Sequence, residues 1–339
     1  MKTFLLTVLP VLFAANSHAW DYEGHRLVNK LALASLPGDF PAFVLTPAAR
    51  ERIAFLAGEA DRWRNSSDPT FRHFNAPDHY LDIEKLADYG LTATTLPVFR
   101  YDFTAQLALG RAARPDKFET IDPKRDPDHT RTMPGFLPWT ITESVGKLKS
   151  GFAYLKALQE AGTSEEIANA QQNIIYVMGV MGHYVGDATQ PLHTTKHYNG
   201  WEGPNPHGYT TNKTFHSFID GGYLNKLALK SEQLVSKMRP AKPLEFASND
   251  GNPTNIFPVV MKWLSEQHKL VVPLYELEKA RKFNTRAEAD PEAVEFIVGQ
   301  LLQGGQMLGD LWVTAWKQAP ADTFLRSQLM KRKSTRSEE

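Results

Sequence analysis

His183-Tyr184-Val185-Gly186-Asp187-Ala188-Thr189-Gln190-Pro191-Leu192-His193 is the stretch on which the reading of this chain turns. It follows an apolar run, Asn173 to Gly182, that reads as a buried helix. Positions four apart share one face of a helix, so His183 and Asp187 point the same way. Pro191 cannot continue a helix, which puts His193 on the turn just beyond it. Two imidazoles and a carboxylate converging at a helix end suit a borderline cation such as Zn²⁺. The plain alternative is a polar helix end with a hydrogen-bonded core histidine. It accounts for any one of the three residues better than for all three together.

Working outward, helical patterns surround this stretch. Thr163-Ser164-Glu165-Glu166 has N-cap chemistry and opens the helix that delivers His183. Earlier helical segments are expected over 24–36, from Thr46-Pro47 to about Trp63, and from Trp139 to Leu158. Later ones are expected over Thr214–Lys230, about 254–282 and 290–317. Residues 65–69, 114–138 and 196–212 read as loops, and His79-Tyr80-Leu81-Asp82 lies in a short element. Period-two alternation is missing, as are a Gly-rich phosphate loop and a Gly-x-Ser-x-Gly motif. The expectation is a single compact all-α, multi-helix domain over residues 20–325.

Both ends read differently. Lys2, the apolar run Phe4 to Ala15 and Ser17-His18-Ala19 have the pattern of a cleavable signal peptide over residues 1–19. Its apolar core is too short for a membrane span. Cleavage after Ala19 would make Trp20 the first mature residue and the protein secreted or periplasmic. Residues 326–339 read as a charged, disordered tail. The 339 residues include no cysteine, so disulfides cannot stabilise the chain. Hydrophobic residues make up 42% and the formal net charge is zero. That balance supports a large core and excludes a basic nucleic-acid clamp as the basis of function. Bound metal could still bring the positive charge a polyanionic substrate needs.

Other histidines and carboxylates fall into the same pattern. His216 and Asp220 are again four apart on a helical segment. Asp61 lies near the end of the second helix in Gly58-Glu59-Ala60-Asp61-Arg62-Trp63-Arg64, and His79 follows Asp78. His25 stands five residues after Trp20. His73, His129, His197, His207 and His268 lack such partners and read as surface or loop residues. On these residues the chain resembles the trinuclear-zinc superfamily of bacterial phospholipase C and the single-strand-specific nucleases with 3′-nucleotidase activity. The resemblance runs from Trp20 to about Asp220, and the C-terminal helices fit in kind. It implies an all-α fold and three Zn²⁺ ions. Asp61, His79, His183 and Asp187 would hold one ion, and His193, His216 and Asp220 a second. Trp20, through its α-amino nitrogen and carbonyl oxygen, would hold the third with His25 and a bridging Asp187. It also implies a zinc-dependent phosphodiesterase or phosphomonoesterase using a metal-activated water. Asp61 and Asp187 would serve the chemistry, and Arg64 would contact phosphate.

The substrate stays open between single-stranded nucleic acid or nucleotides and phospholipid head groups. The long connection from His193 to His216 favours a nuclease; the missing Gly-Gly-Asn in it does not. Asn199 and Asn205 could bond a base edge, and Trp201 and Tyr209 could stack on one; turn and packing roles are the alternative. Phe71, Phe74, Tyr80, Phe136 and Trp139 are further candidates for a cleft wall, with core packing as their ordinary role. A non-catalytic zinc-binding protein of the same fold is the remaining class. A monomer is assumed.

Overall fold

The apolar run and the capping signal at Thr163 combine into the central helix of the molecule. In the computed structural model, which describes residues 20–245 and 255–338, the Thr163 hydroxyl accepts from the Glu166 amide and the Glu166 carboxylate accepts from the Thr163 amide. This box starts a helix that runs for 26 residues, Ser164–Thr189, and is buried throughout its second half. The signal-peptide reading of residues 1–19 lies outside the described residues.

In chain order the helices are α1 (Tyr22–Ser35), α2 (Pro47–Leu56), α3 (Glu59–Arg64), α4 (Pro69–Asn75), α5 (Arg100–Ala113), α6 (Leu137–Ala161) and α7 (Ser164–Thr189). After them come α8 (Phe215–Ser217), a π-helical turn (Phe218–Tyr223), α9 (Leu224–Leu227) and α10 (Ser231–Leu234). The series closes with α11 (Phe257–His268), α12 (Val271–Lys279), α13 (Pro291–Lys317) and α14 (Thr323–Glu338). There is no strand among the described residues, and the fold is all-α. Long α6, α7 and α13 pack on one another, and α1 lies against α13, α2 and α7. No helix among the described residues is long and apolar enough to cross a membrane.

Glycines let α1 approach α7. A Cβ on Gly182 would stand 1.6 Å from Asn29 Oδ1, and one on Gly186 would stand 2.6 Å from His25 Nδ1. Asn29 fills the contact by donating to the carbonyls of Ile53 (2.8 Å) and Gly179 (3.1 Å), tying α1, α2 and α7 at one buried point.

Three helical expectations need correction. The second helix does not run unbroken to Trp63: it stops at Leu56 and resumes at Glu59, with Gly58 packed under the Tyr22 ring. The pattern over 254–282 divides into α11 and α12, because a continuous helix would drive the Pro273 ring against the carbonyl of residue 269. Residues 326–338 are helical rather than disordered. Leu329 is buried, and Arg332 makes paired 2.7 Å bonds to Glu166 on α7. Arg326 pairs with Glu160 on α6. Two of the charges that looked like a solvated tail, Arg326 and Arg332, have partners, and Leu329 between them reaches the bundle.

Candidate metal centre

Seven elements deliver the polar cluster. His25 comes from α1, Asp61 from α3, His183 and Asp187 from α7, and His216 from α8 with Asp220 in the π-helical turn that follows. His79 and His193 sit on short 3₁₀ turns, Ala76–His79 and Pro191–Thr194. Pro191 ends the α7 pattern as expected, so the chain turns at once and returns His193 towards Asp187. All eight residues are buried.

Asp187 is the middle of the cluster. Its Oδ2 lies 2.9 Å from His79 Nδ1 and 3.4 Å from His183 Nε2. Its Oδ1 lies 3.5 Å from His25 Nε2 and 3.7 Å from His193 Nδ1. Burial pushes the Asp187 and Asp220 carboxyls well above the usual carboxylate range. Burial likewise pushes the His79 and His193 imidazoles well below theirs, and Arg64 and the neighbouring imidazoles push the same way. A cavity that resists both signs of charge on its own side chains favours an external cation, which would restore the carboxylates to their ionised form.

The donor atoms fit that role. His183 Nδ1 lies 2.6 Å from the carbonyl of Ala57, at the break between α2 and α3. A carbonyl only accepts, so Nδ1 carries the proton and Nε2 the lone pair. His193 Nδ1 donates in the same way to the His79 carbonyl at 2.6 Å, and its Nε2 has no hydrogen-bond partner among the described residues. The Leu81 amide donates back to the His193 carbonyl at 2.9 Å, which ties the chain after His79 to the turn carrying His193. Three groups bring ligand atoms within 4.8 Å of one another: His25, Asp61 and His183; His79, His183 and Asp187; and His193, His216 and Asp220. Each could hold a metal ion. The last has the membership expected from the sequence. His25 falls with Asp61 and His183 as well as reaching Asp187, a closer association than expected.

Trp20 is fully buried, with its indole N–H 3.3 Å from the Thr189 hydroxyl. The next amide, of Asp21, donates to the Asp220 carbonyl at 3.3 Å. Trp20 is thus held between α7 and the turn carrying Asp220. Arg64 Nε forms an ion pair with Asp61 Oδ1 at 2.9 Å.

A cavity of about 400 Å³ opens beside the cluster. Its lining includes His193, His216, Tyr80 and Tyr198, with Arg64, Arg72, Lys85 and Arg131 as cations and Asp82 as the single carboxylate.

The four proposed base contacts are not in that lining. Trp201 stacks on His197 at 4.0 Å between centroids and donates to the Pro204 carbonyl. Asn205 bonds both the amide and the carbonyl of Tyr209, closing a turn. Tyr209 is buried and donates to Glu276 at 2.6 Å, and Asn199 belongs to the same loop. These residues fold the 196–212 connection down. His197, expected as a surface or loop residue, lies in this loop and is buried. Phe136 and Trp139 are core residues, while Tyr80 does line the cavity.

Gln190 was missed by the sequence reading. It is fully buried, donates to Asp220 Oδ1 and accepts from the Leu192 amide at 3.2 Å. It therefore joins the turn holding His193 to the carboxylate of Asp220. A side-chain cap directly before Pro191 was the available signal.

No family model matches the chain, and no curated protein matches it either.

Proposed function

We propose that the chain is a zinc-dependent hydrolase of phosphate esters, acting on single-stranded nucleic acid and 3′-nucleotides. One observation carries the reading: buried His/Asp groups able to hold metal meet, at His193 and His216, a cavity walled by four cations and one carboxylate. The residue-level resemblance to the trinuclear-zinc phospholipases and nucleases agrees with it. Zinc ions held by these groups would lower the pKa of a bound water and offset charge on phosphoryl oxygens.

The chain's own residues supply position and charge. Asp187 turns its two oxygens to different imidazole pairs, which supports a bridging role for its carboxylate. Arg64 orients Asp61 with Nε while also lining the cavity, so it is placed to receive a phosphoryl oxygen. Tyr80 and Tyr198 give the cavity aromatic surface of the kind on which bases stack. A cationic lining favours an anionic polymer over a choline head group, which brings its own positive charge.

The experiment uses protein beginning at Trp20, with zinc and with chelator. Single-stranded DNA, a 3′-nucleotide and phosphatidylcholine are compared as substrates. Zinc-dependent cleavage of the nucleic acid and the nucleotide is expected. No hydrolysis of any of the three ends the enzyme reading, and preference for the phospholipid reverses the choice of substrate.

A further inference from the structure

Part of the cavity lining comes from segments that carry none of the metal-group residues: α4 supplies Arg72, and the turn after the 3₁₀ segment Pro123–Arg125 supplies Thr130 and Arg131. They are built as one piece around Asp128, which is buried. Asp128 Oδ2 holds Arg72 Nη2 at 2.7 Å, and its Oδ1 accepts from the Thr130 hydroxyl at 3.0 Å. Its carbonyl accepts from His73 Nδ1 at 2.7 Å, so two successive residues of α4 are tied to the turn. Asp126 Oδ1 then accepts from the amides of Thr130 (3.0 Å) and Arg131 (3.2 Å), fixing the turn itself.

The charge this unit shows to the cavity is positive. Asp128 is not part of the lining, whereas Arg72 and Arg131 are. One edge of the Arg72 guanidinium is committed to Asp128, and its Nε makes no hydrogen bond among the described residues. Among the described residues Arg131 forms an ion pair with Glu119 alone, at 3.3 Å across an exposed surface, a contact a stronger anion can displace. A guanidinium fixed in advance by a buried carboxylate loses little freedom on meeting an anion, and its planar fork suits phosphate.

We propose that Arg72, Thr130 and Arg131 form a subsite for a second phosphate, so that the preferred substrate is an oligonucleotide carrying a phosphate next to the one cleaved. The subsite rests on the phosphate-ester reading above and adds the substrate class: longer than a mononucleotide, and not a lipid.

Binding is measured calorimetrically on zinc-loaded protein with an uncleavable methylphosphonate-linked thymidine dinucleotide, with and without a 5′-phosphate. Wild type is expected to prefer the 5′-phosphorylated form by about tenfold, the effect of one or two hydrogen bonds to a charged group. Arg131→Ala, at an exposed position, and Arg72→Gln, which can still bond Asp128, should each erase most of that preference while melting as wild type does. Equal wild-type affinity for the two dinucleotides, or undiminished preference in both variants, overturns the subsite. So does binding to phosphatidylglycerol vesicles that falls in the variants while the dinucleotide preference stays, which would assign the cations to a lipid surface. Hydrolysis of bis(p-nitrophenyl) phosphate by zinc-loaded wild type reports on the ester chemistry alone, so either idea can fail without the other.

Discussion

Gln190 is the residue whose role is most sharply defined by its surroundings. Its carboxamide occupies one oxygen of Asp220 and leaves the other, Oδ2, 2.7 Å from His216 Nε2. Removing such a partner from a metal-ligating carboxylate costs about 10–100-fold in metal affinity. Gln190→Ala should therefore weaken zinc at the His193, His216 and Asp220 group by that order, read by competition with a chromophoric chelator. Unchanged affinity would reduce Gln190 to a turn cap. Asp82 makes a second prediction. Burial pushes its carboxyl up from 3.8 to about 6, despite Lys85 at 2.7 Å. The folded chain thus holds this proton more tightly than the unfolded chain. Its contribution to stability is full below about pH 4 and is lost as the pH rises through about 6, an effect on the order of 3 kcal/mol. Denaturant titrations at several pH values should show Asp82→Asn lacking that slope relative to wild type. Parallel slopes would mean the carboxyl ionises freely in the fold.

Among the elements, the α1–α7 contact sets the geometry of the cluster. Gly186→Ala would put a methyl 2.6 Å from the His25 ring, and the helix cannot yield without moving Asp187. The expected outcome is a loss of about 1–3 kcal/mol in denaturant stability, together with reduced zinc stoichiometry by elemental analysis. Wild-type stability and full metal content would show that the contact has slack. The same elements show what the sequence could reveal. The caps at Thr46 and Thr163 and the stop at Pro191 were legible, because each acts through its immediate neighbours. So were the i, i+4 pairs His183/Asp187 and His216/Asp220, although a π-helical turn carries Asp220 where a plain helix was expected. The helical tail was not legible, since its stability comes from Glu160 and Glu166, some 166 residues earlier in the chain. Nor were the roles of Trp201, Asn205 and Tyr209. An aromatic or amide in a loop has the same local signature whether it meets a ligand or its own loop. Only the fold decides which.

For the whole molecule, metal and stability should be coupled. The cluster buries carboxylates and imidazoles at its centre, and a ligand that binds only the folded state raises stability by about 4 kcal/mol at a thousand times its Kd. Added zinc should raise the Tm of wild type, and chelator should lower it. Asp187→Asn should abolish most of the zinc-dependent rise, because its two oxygens face different imidazole pairs, whereas His193→Ala should remove only a part. Equal effects of the two variants would contradict a bridging role for Asp187.

The meeting of His25, His79, His183 and His193 around Asp187 also bears on how the chain reaches its native state. The first of these partners lies 162 positions from Asp187, and joining such distant segments in an unfolded chain is entropically costly. No short fragment contains the set, so a metal ion held around Asp187 would find no tight site until α1, the 76–79 turn and α7 have docked. The arrival of high-affinity metal binding at this cluster during refolding would then time the closure of these long loops, an event that helix formation alone cannot report.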